Sequence, residues 1–298
     1  MTDIRNRKIA FCILCHKFTP VLESFMKWMS EDNDFYIHVD AKTDITPFEP
    51  LTRLDNVFFV SDRTAVYWGT FSQVEAILKI FHLTKQGSYS HICLVSGDTL
   101  PLRSNREIKD YFSSQPDTEF IIYEPVKSLH YERFKYNYPN FEKEKNFFLK
   151  VRNHVQARFK LYRKNPLAIQ VPPLAFGANW IAFTPLFRDY IFEYLKDHPL
   201  YTRAFGKSRC ADELFFHTIL HNSPFESRND VRHIMYTDWE NSINNPRILD
   251  ESDFARLQKL VNKDDDTHHY LFARKFPDNL DLEQYEKLFI EDRRKTEP

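Results

Sequence analysis

Glycine is scarce in this chain: 5 of its 298 residues are glycine, against 28 phenylalanines and 15 tyrosines. Glycine-rich loops let a backbone approach the pyrophosphate of a dinucleotide, so their scarcity argues against a dinucleotide-dependent dehydrogenase. The many large aromatic side chains predict a sizeable hydrophobic core. The length suffices for one large α/β domain or two modest ones, and because we find no internal repeat or low-complexity linker, we expect a single domain over residues 1–298.

A surplus of charge of either sign is also missing, because 41 Lys and Arg residues offset 42 Asp and Glu residues and leave a net charge of −1. A general nucleic-acid binder carries an overall basic field, so we expect no nucleic-acid partner. Any anionic ligand must be held by a local group of cations.

Cysteine and long apolar runs are few as well. Four cysteines without an evenly spaced framework predict free thiols in a reducing compartment. The first apolar run covers only about seven residues, fewer than a secretory signal or a bilayer span needs. We therefore expect a cytoplasmic protein, with peripheral attachment at the inner face of the membrane left open.

One motif points to a different class of protein. Cys12, Cys15 and His16 have the CxxCH spacing of a c-type haem attachment site. Haem is attached to this motif after export, and the short first apolar run predicts no export signal. We therefore favour the other interpretation, in which Cys12 is a small core residue of a buried strand that runs into a polar loop.

Strand-like and helical patterns alternate in the first half of the chain. Pro20 follows Thr19, a good N-cap, and Ser72 with Glu75 has the spacing of a capping box. This alternation predicts an α/β fold with a mostly parallel sheet flanked by helices and with ligands at the carboxyl ends of the strands. The predicted strands cover residues 8–14, 35–39, 57–60, 91–95, 120–123 and 178–184.

Polar residues follow the first two predicted strands. Cys15, His16 and Lys17 come after the first strand, and Asp40 ends the second. These positions meet at one edge of a doubly wound sheet, where a short carboxylate can accept hydrogen bonds from a base or a ribose. For Asp40 the alternative is an ordinary Asx turn after a strand.

The segment 142–164 is rich in Lys and Arg with Phe and Leu interleaved, and a proline-rich connection follows it. It fits either a basic amphipathic surface for an anionic membrane or a lipid-linked acceptor, or a solvated helix face, which we favour. A further amphipathic helix is predicted over 187–198.

Few carboxylates are candidates for chemistry. Asp212 and Glu213 are predicted in the first turn of a helix, where an ionised Glu could act as a general base, although helices commonly begin with acidic residues. The acidic run 264–266 could hold a hard metal ion, but we interpret it as a solvated loop.

Eight segments together resemble the core-2/I-branching enzymes, β-1,6-N-acetylglucosaminyltransferases whose family also includes peptide O-xylosyltransferases. The resemblance extends from about Lys8 to Phe276. The segments are HVDAK at 38–42, SDRTAVYWGTFSQVEAIL at 61–78, LVSGDTLPLRS at 94–104, FGANWIAF at 176–183, ADELFFHTIL at 211–220, DW at 238–239, PRIL at 246–249 and LFARKF at 271–276.

The resemblance implies a GT-A-like, Rossmann-related fold and an inverting transferase that uses a UDP-sugar without a divalent metal. It implies that Asp40 contacts the uracil beside the loop of Cys15 and His16, and that Arg247 and Lys275 bind the donor diphosphate. The SGD at 96–98 has one acidic residue where metal-dependent members of the wider fold carry DxD, which also favours a metal-free reaction.

The resemblance further implies that Glu213 is the catalytic base and that Arg133 contacts the acceptor, with Glu124 a looser match. Trp180 and Trp239 are candidate sugar-stacking platforms, although each could equally be a core residue. The segment before Glu213 lacks the Ser/Thr-Pro usual in the family, which puts the exact placement of the base in question.

Together these observations predict a bacterial-type UDP-sugar transferase acting on a glycan or lipid-linked glycan in surface polysaccharide assembly. N-acetylglucosamine is the first expectation for the donor sugar, with xylose the alternative, and a non-catalytic nucleotide-sugar or glycan-binding module is the competing class. We expect residues 1–125 to form the nucleotide-sugar half, 126–276 the acceptor and catalytic half, and 277–298 a C-terminal tail. No cofactor or metal is expected.

Overall fold

The computed structural model describes residues 8–126, 128–139, 147–159, 161–240, 245–263 and 268–291. Within these ranges the chain forms twelve strands and ten α-helices, joined in places by short 3₁₀ turns. The strands are β1 (Lys8–Cys15), β2 (Asp34–Val39), β3 (Val57–Phe59), β4 (Tyr89–Ser96), β5 (Thr99–Pro101), β6 (Glu124–Pro125), β7 (Tyr136–Asn137), β8 (Arg163–Lys164), β9 (Ala175–Phe176), β10 (Ala182–Phe183), β11 (His233–Thr237) and β12 (His268–Arg274). The helices are α1 (Pro20–Trp28), α2 (Ser72–Leu83), α3 (Asn105–Ser114), α4 (Ser128–Lys135), α5 (Phe147–Arg158), α6 (Pro185–Asp197), α7 (Pro199–Phe205), α8 (Phe215–His221), α9 (Phe254–Val261) and α10 (Leu282–Phe289).

The central sheet has the strand order β10-β4-β1-β2-β3. β1 lies parallel to β2 and β4, and β2 lies parallel to β3, whereas the short β10 runs antiparallel to β4. The chain lays β2 and β3 on one side of β1 and then crosses to lay β4 on the other side. Ligand crevices form at the carboxyl ends of strands where the order reverses in this way. The predicted α/β class, with a mostly parallel sheet flanked by helices, is confirmed.

A second, three-stranded sheet has the order β11-β12-β5. β12 pairs in parallel with β11 and antiparallel with β5, so that Arg274 at the end of β12 lies opposite Thr99. β5 follows β4 after the short link of Gly97 and Asp98. This link therefore brings the end of β12 to the carboxyl end of β4.

Apolar side chains cover both faces of the central sheet. α1, α9 and α10 pack on the face that contains Phe11 and Cys15, and α2, α6 and α8 pack on the face that contains Cys12 and Tyr36. Both cysteines are buried free thiols, and burial raises the pKa of Cys15 to about 12. Because neighbouring strand positions alternate between faces, the two thiols are directed to opposite sides of the sheet and cannot attach one haem. The haem interpretation is wrong.

The helix starts differ from the prediction in one place. Thr19 caps α1 as expected, with its side chain accepting a hydrogen bond from the first turn. The capping box predicted from Ser72 is wrong, because the Ser72 hydroxyl instead accepts a hydrogen bond from the N–H of Tyr67 at 2.8 Å. A capping box is present at the start of α3, between Ser104 and Glu107.

The strand predicted over 120–123 is wrong. Phe120 makes only an isolated bridge to Ala182. The N–H of Ile121 donates to Oδ1 of Asn229 at 3.0 Å, and the Ile121 carbonyl accepts from its Nδ2 at 2.8 Å. A side-chain amide thus satisfies the backbone groups that a neighbouring strand would otherwise pair.

The remaining predictions have mixed outcomes. The helix predicted over 187–198 is α6, whereas the strand predicted over 178–184 is reduced to the two residues of β10. The basic segment 142–164 is described in part and contains α5, and the acidic run 264–266 lies outside the described residues. None of the described helices is both long and apolar enough to cross a lipid bilayer.

Candidate functional site

The carboxyl ends of β1, β2 and β4 meet at one edge of the central sheet. The N–H of Asp40 donates to the carbonyl of Cys15 at 2.9 Å, and the N–H of Gly97 donates to the carbonyl of Leu14 at 3.0 Å. A Cβ on Gly97 would lie 2.9 Å from the Cβ of Cys15, so glycine permits this close approach. Cys15 is buried beneath the edge whereas His16 is exposed. Of these two predicted donor-binding residues, only His16 has a solvent-accessible side chain, and the predicted donor contact stays a prediction.

The buried carboxylate of Asp40 orders the loops around it. Its Oδ1 accepts hydrogen bonds from the N–H groups of Lys42 at 2.9 Å and Val66 at 3.3 Å, and its Oδ2 lies 3.4 Å from Nζ of Lys42. The bond to Lys42 is the Asx turn that the sequence left open. The bond to Val66 attaches the loop before α2 to the end of β2. The predicted uracil contact of Asp40 stays a prediction.

Glu213 lies in a tight turn and not in the first helical turn that the sequence predicts. Ala211–Glu213 form a 3₁₀ turn after Cys210, which has a left-handed φ of 50°, and α8 begins only at Phe215. The Glu213 side chain is 32 % exposed and forms an ion pair with Arg133. Burial raises the pKa of Glu213 above its ordinary value, although Arg133 acts to lower it. A partly exposed carboxylate with a raised pKa suits a general base.

Asp212 is buried beside Glu213. Its Oδ2 accepts a hydrogen bond from Nε2 of Gln73 at 3.0 Å, and burial together with the charge of Glu213 raises the pKa of Asp212 to about 7. The N–H of Cys210 donates to the carbonyl of Gly69 at 2.9 Å. Gly69 lies in the loop after β3, and Gln73 lies at the start of α2. The turn that carries Asp212 and Glu213 is therefore fixed to the same loop that Asp40 holds through Val66.

Gly177 supports the same turn from another side. Its N–H donates to the carbonyl of Glu213 at 2.9 Å. A Cβ at this position would lie 1.9 Å from the carbonyl oxygen of Ile122, so any side chain would collide with backbone. The carbonyl of Ala178 is bonded to Nε2 of His217 at 2.9 Å. The start of the segment 177–180 is therefore tied to the turn that carries Glu213 and to α8.

Asn179 is an unusual residue in this segment. Its side chain is 6 % exposed, and within the described part of the chain neither its amide nitrogen nor its oxygen has a hydrogen-bond partner. Leaving a buried polar group unpaired costs about 1–3 kcal/mol, so native structures rarely keep one without a reason. Asn179 is a candidate ligand contact that the sequence did not indicate.

The other end of the segment meets a buried cation. The guanidinium of Arg274 lies 4.3 Å from the ring centroid of Trp180, and its Nε donates to Oγ of Ser96 at 2.9 Å. Nη2 lies 3.3 Å from the carboxylate of Asp98, the acidic residue at the end of β4. Burial lowers the pKa of Arg274 and Asp98 opposes this. Asp98 is therefore paired with an internal cation, and one face of the predicted platform Trp180 is covered.

Lys275 follows Arg274 but has a different environment. Its side chain is half-buried and makes no side-chain hydrogen bond or ion pair within the residues the structure describes. Burial and the charge of Arg274 lower the pKa of Lys275, whereas Asp98 raises it. Its carbonyl accepts a hydrogen bond from the N–H of Leu249 at 2.7 Å, which joins it to the segment of Arg247. An ammonium group beside a second cation favours an anionic ligand.

Arg247 is already bound to two protein carboxylates. Its Nη2 lies 2.8 Å from Asp238 and 2.5 Å from Asp253, and Arg256 contacts the same two carboxylates at 2.7 and 3.0 Å. Burial would raise the pKa of Asp238, but hydrogen bonds from Arg256 and Arg247 lower it to about 2. We call these four residues the Arg–Asp quartet. Its two positive and two negative charges cancel, and the predicted diphosphate contact of Arg247 stays a prediction.

The structure brings together only some of the predicted acceptor residues. Arg133 contacts Glu213 and lies 5.4 Å from the ring of Phe176, and Glu124 pairs with Phe176 between β6 and β9. Trp239 is 52 % exposed, and among the described residues no hydrogen bond or ring contact joins it to this group. Arg133 and Glu124 therefore lie near the predicted base, whereas Trp239 is placed beside the quartet.

Sequence reasoning missed two residues of the candidate site, Arg274 and Asn179, and did not predict the buried contact of a third, Asp212. Arg274 directly precedes Lys275, so its charge was visible, but its burial against Trp180 was not. Asn179 lies within the segment GANW, yet only the absence of a partner makes it notable. Asp212 was noticed as a first-turn residue, and its contact with α2 depends on long-range packing.

The family model described as Core-2/I-Branching enzyme matches residues 9–258 of the chain. Xylosyltransferase 2 of Rattus norvegicus is 25 % identical over 306 residues, which cover 94 % of this chain and 33 % of that protein. Xylosyltransferase 1 of Rattus norvegicus is 24 % identical over 293 residues, which cover 90 % of this chain and 33 % of that protein. The chain thus spans about a third of the length of these curated relatives.

A solved structure was also compared with the chain. It is a protein of Bacillus anthracis assigned as a glucose-1-phosphate thymidylyltransferase, in complex with a sucrose, and it aligns with a TM-score of 0.32 and 12 % identity over 66 % of this chain and 80 % of that chain. A TM-score this low supports no conclusion. The family match is far more extensive and confirms the resemblance found in the sequence. The chain belongs to the core-2/I-branching enzyme family, a family of glycosyltransferases.

Proposed function

We propose that the chain is an inverting glycosyltransferase that moves a sugar from a UDP-sugar to a hydroxyl group of a glycan without a divalent metal. One arrangement carries this proposal: the segment 177–180 joins a carboxylate region to a cation region. Glu213, held by Arg133, lies at one end of the segment, and Arg274 with Lys275 lies at the other. Inverting transfer requires these two kinds of group, a base for the acceptor and positive charge for the leaving diphosphate.

In the proposed reaction an acceptor oxygen forms a bond to the anomeric carbon as the bond from that carbon to UDP breaks. The acceptor proton passes to the carboxylate of Glu213, a step typically worth about 10²- to 10⁴-fold in rate. The negative charge gained by UDP is balanced by Lys275. Arg247 would join Lys275 only by exchanging a carboxylate partner for a phosphate oxygen. Asp40 and His16 would hold the uridine end of the donor.

Two observations support the finer parts of the proposal. The pairing of Asp98 with Arg274 supports a metal-free site, because a carboxylate bound to an internal cation is a weak metal ligand. For the donor sugar, the resemblance found in the sequence implies N-acetylglucosamine, whereas the relatives named xylosyltransferases favour xylose. A glycan or lipid-linked glycan of a surface polysaccharide is the acceptor class we propose.

The first test is thermal stabilisation by UDP, UDP-N-acetylglucosamine, UDP-xylose and UDP-glucose, each with EDTA and with manganese. We expect a shift that survives EDTA and is largest for one UDP-sugar, which identifies the donor. A shift that appears only with manganese would overturn the metal-free proposal. No shift with any uridine nucleotide would overturn the proposed donor class.

The competing proposal is a module that binds nucleotide sugars or glycans without catalysis. It predicts stabilisation by UDP-sugars but no UDP release in the presence of a panel of glycan acceptors. The raised pKa of Glu213 favours the enzyme, because a binding module gains nothing from a base poised in this way. Release of UDP that depends on both acceptor and Glu213 would exclude the binding module.

A further inference from the structure

Helix α5 has its apolar side chains turned outward. Five of them, at positions that repeat mainly every four residues, are 46–80 % exposed. They are Phe147, Phe148, Val151 and Val155 on α5 and Phe159 directly after its last residue. Residues four apart lie above one another on a helix, so these side chains form one stripe. We call it the α5 stripe.

The inward side of the same helix has one large apolar side chain, Leu149, among polar or small ones. Asn153 is 2 % exposed, and Leu149, Gln156 and Ala157 are only partly exposed. α1, by contrast, buries its large apolar side chains in the core. The orientation of α5 is thus the reverse of that of a helix that stabilises its own domain. Exposed apolar stripes of this kind mark surfaces that meet a partner or a membrane.

The charged residues of α5 and of the segment directly after it are all basic. Residues 147–164 contain six Lys and Arg residues and no Asp or Glu. Arg152 and Arg158 lie next to the stripe on the helix, both exposed. Basic residues that flank an apolar face are typical of helices lying in the interface of an anionic bilayer, where long cationic side chains reach the lipid headgroups.

Two short paired strands and the buried Asn165 connect α5 to the rest of the described chain. β7 and β8, on either side of α5 in the chain, pair antiparallel through Tyr136 and Lys164. Nδ2 of Asn165 donates to the carbonyls of Phe134 at 3.2 Å and Ala204 at 2.8 Å. Phe134, which Asn165 contacts, is the residue after Arg133. The segment that carries the α5 stripe therefore leaves and rejoins the rest of the chain beside the candidate site.

We infer that the α5 stripe is a docking surface for an anionic lipid bilayer. A second copy of the chain fits less well, because a two-fold interface through α5 would place equal positive charges against each other. A bilayer that contains anionic lipid satisfies both features, since it takes up the phenylalanine and valine side chains and attracts the basic residues. This inference does not depend on the proposed transferase activity.

The test is sedimentation of the full chain with phosphatidylcholine vesicles and with vesicles that also contain phosphatidylglycerol. We expect binding to the anionic vesicles that is at least about tenfold stronger and that weakens as salt is added. The double variant Val151→Asp/Val155→Asp should lose this binding. The matched control is Leu186→Asp, which changes another exposed apolar residue, on α6, and should bind as the unchanged chain does.

A thermal melt without vesicles shows that each variant is folded, because unfolding depends neither on lipid nor on UDP binding. Equal binding by the double variant and the unchanged chain would overturn the inference, as would failure of the unchanged chain to bind either kind of vesicle. A concentration-dependent dimer that the double variant abolishes would also overturn it and assign the stripe to a second copy.

Discussion

Two groups of cations at the same edge of the protein differ in net charge. The Arg–Asp quartet contains as many carboxylates as guanidinium groups, so its net charge is zero. Arg274 forms an ion pair with Asp98, and within the residues that the structure describes no carboxylate forms an ion pair with Lys275. An incoming diphosphate would have to displace a carboxylate at the quartet, whereas at Lys275 it meets unbalanced positive charge.

Residue type alone therefore does not identify a phosphate ligand. Arg is often preferred for phosphate because of its planar, bidentate geometry, and the family resemblance assigns the same role to Arg247 and Lys275. The two residues differ in the hydrogen-bond partners of their side chains. Nε, Nη1 and Nη2 of Arg247 all donate to protein oxygens, whereas the ammonium of Lys275 has no side-chain hydrogen bond or ion pair in the described part of the chain.

The largest expected effect is a loss of turnover without a loss of UDP affinity. Glu213→Gln keeps the shape of the side chain but removes the base, so we expect turnover to fall by about 10²- to 10⁴-fold. The affinity for UDP should stay unchanged, because neither cation group is altered. Acceptor-dependent UDP release measures the first and a UDP titration measures the second. Glu193→Gln, an exposed change on α6, is the control, and a variant at Glu213 that retains turnover would remove this residue from the proposed role.

The next effect tests the difference between Lys275 and the Arg–Asp quartet. Lys275→Ala should weaken UDP binding by about 10- to 100-fold, since a charge-assisted contact is worth about 1.5–3 kcal/mol. Arg247→Ala should change UDP affinity much less, but it leaves Asp238 and Asp253 with Arg256 alone and should lower the free energy of unfolding by about 1–2 kcal/mol. Titration calorimetry and urea unfolding measure the two quantities.

Lys259→Ala, an exposed change on α9, controls for the loss of any lysine. The opposite ranking, with Arg247→Ala the more harmful to UDP affinity, would show that the quartet opens to bind the diphosphate. This result would contradict the assignment of the diphosphate to Lys275.

A smaller effect concerns the segment that connects the carboxylate and cation regions. Gly177→Ala forces a Cβ against the carbonyl of Ile122 and should lower the free energy of unfolding by about 1–3 kcal/mol. Gly206→Ala is the matched control, because the nearest atom to its Cβ lies at 3.4 Å, and it should change stability by less than about 0.5 kcal/mol. Equal stability of the two variants would show that the backbone at 177 is not rigidly held.

The sheet was predictable because strand and helix periods are local properties of the sequence. β1, β2, β4 and the capped start of α1 were found in this way, and the ends of the strands then located Asp40. The strand expected over 120–123 failed because Asn229, distant in sequence, takes its backbone hydrogen bonds. The environment of the site residues could not be predicted for the same reason. The neutralisation of Arg247 and the unpaired amide of Asn179 both depend on residues that are distant in sequence and that the fold brings together.

The smallest effect is a change in pH dependence at the carboxylate region. Glu213 accepts a proton only when ionised, so activity should fall as the pH drops through its pKa. Arg133 lowers this pKa; Arg133→Gln should therefore raise it and move the loss of activity to higher pH, whereas Arg133→Lys should move it less. Asp212, whose pKa is raised to about 7, could produce the same decline. Asp212→Asn distinguishes the two, because a pH profile that keeps its acidic decline in this variant assigns the decline to Glu213, and one that loses it assigns the decline to Asp212.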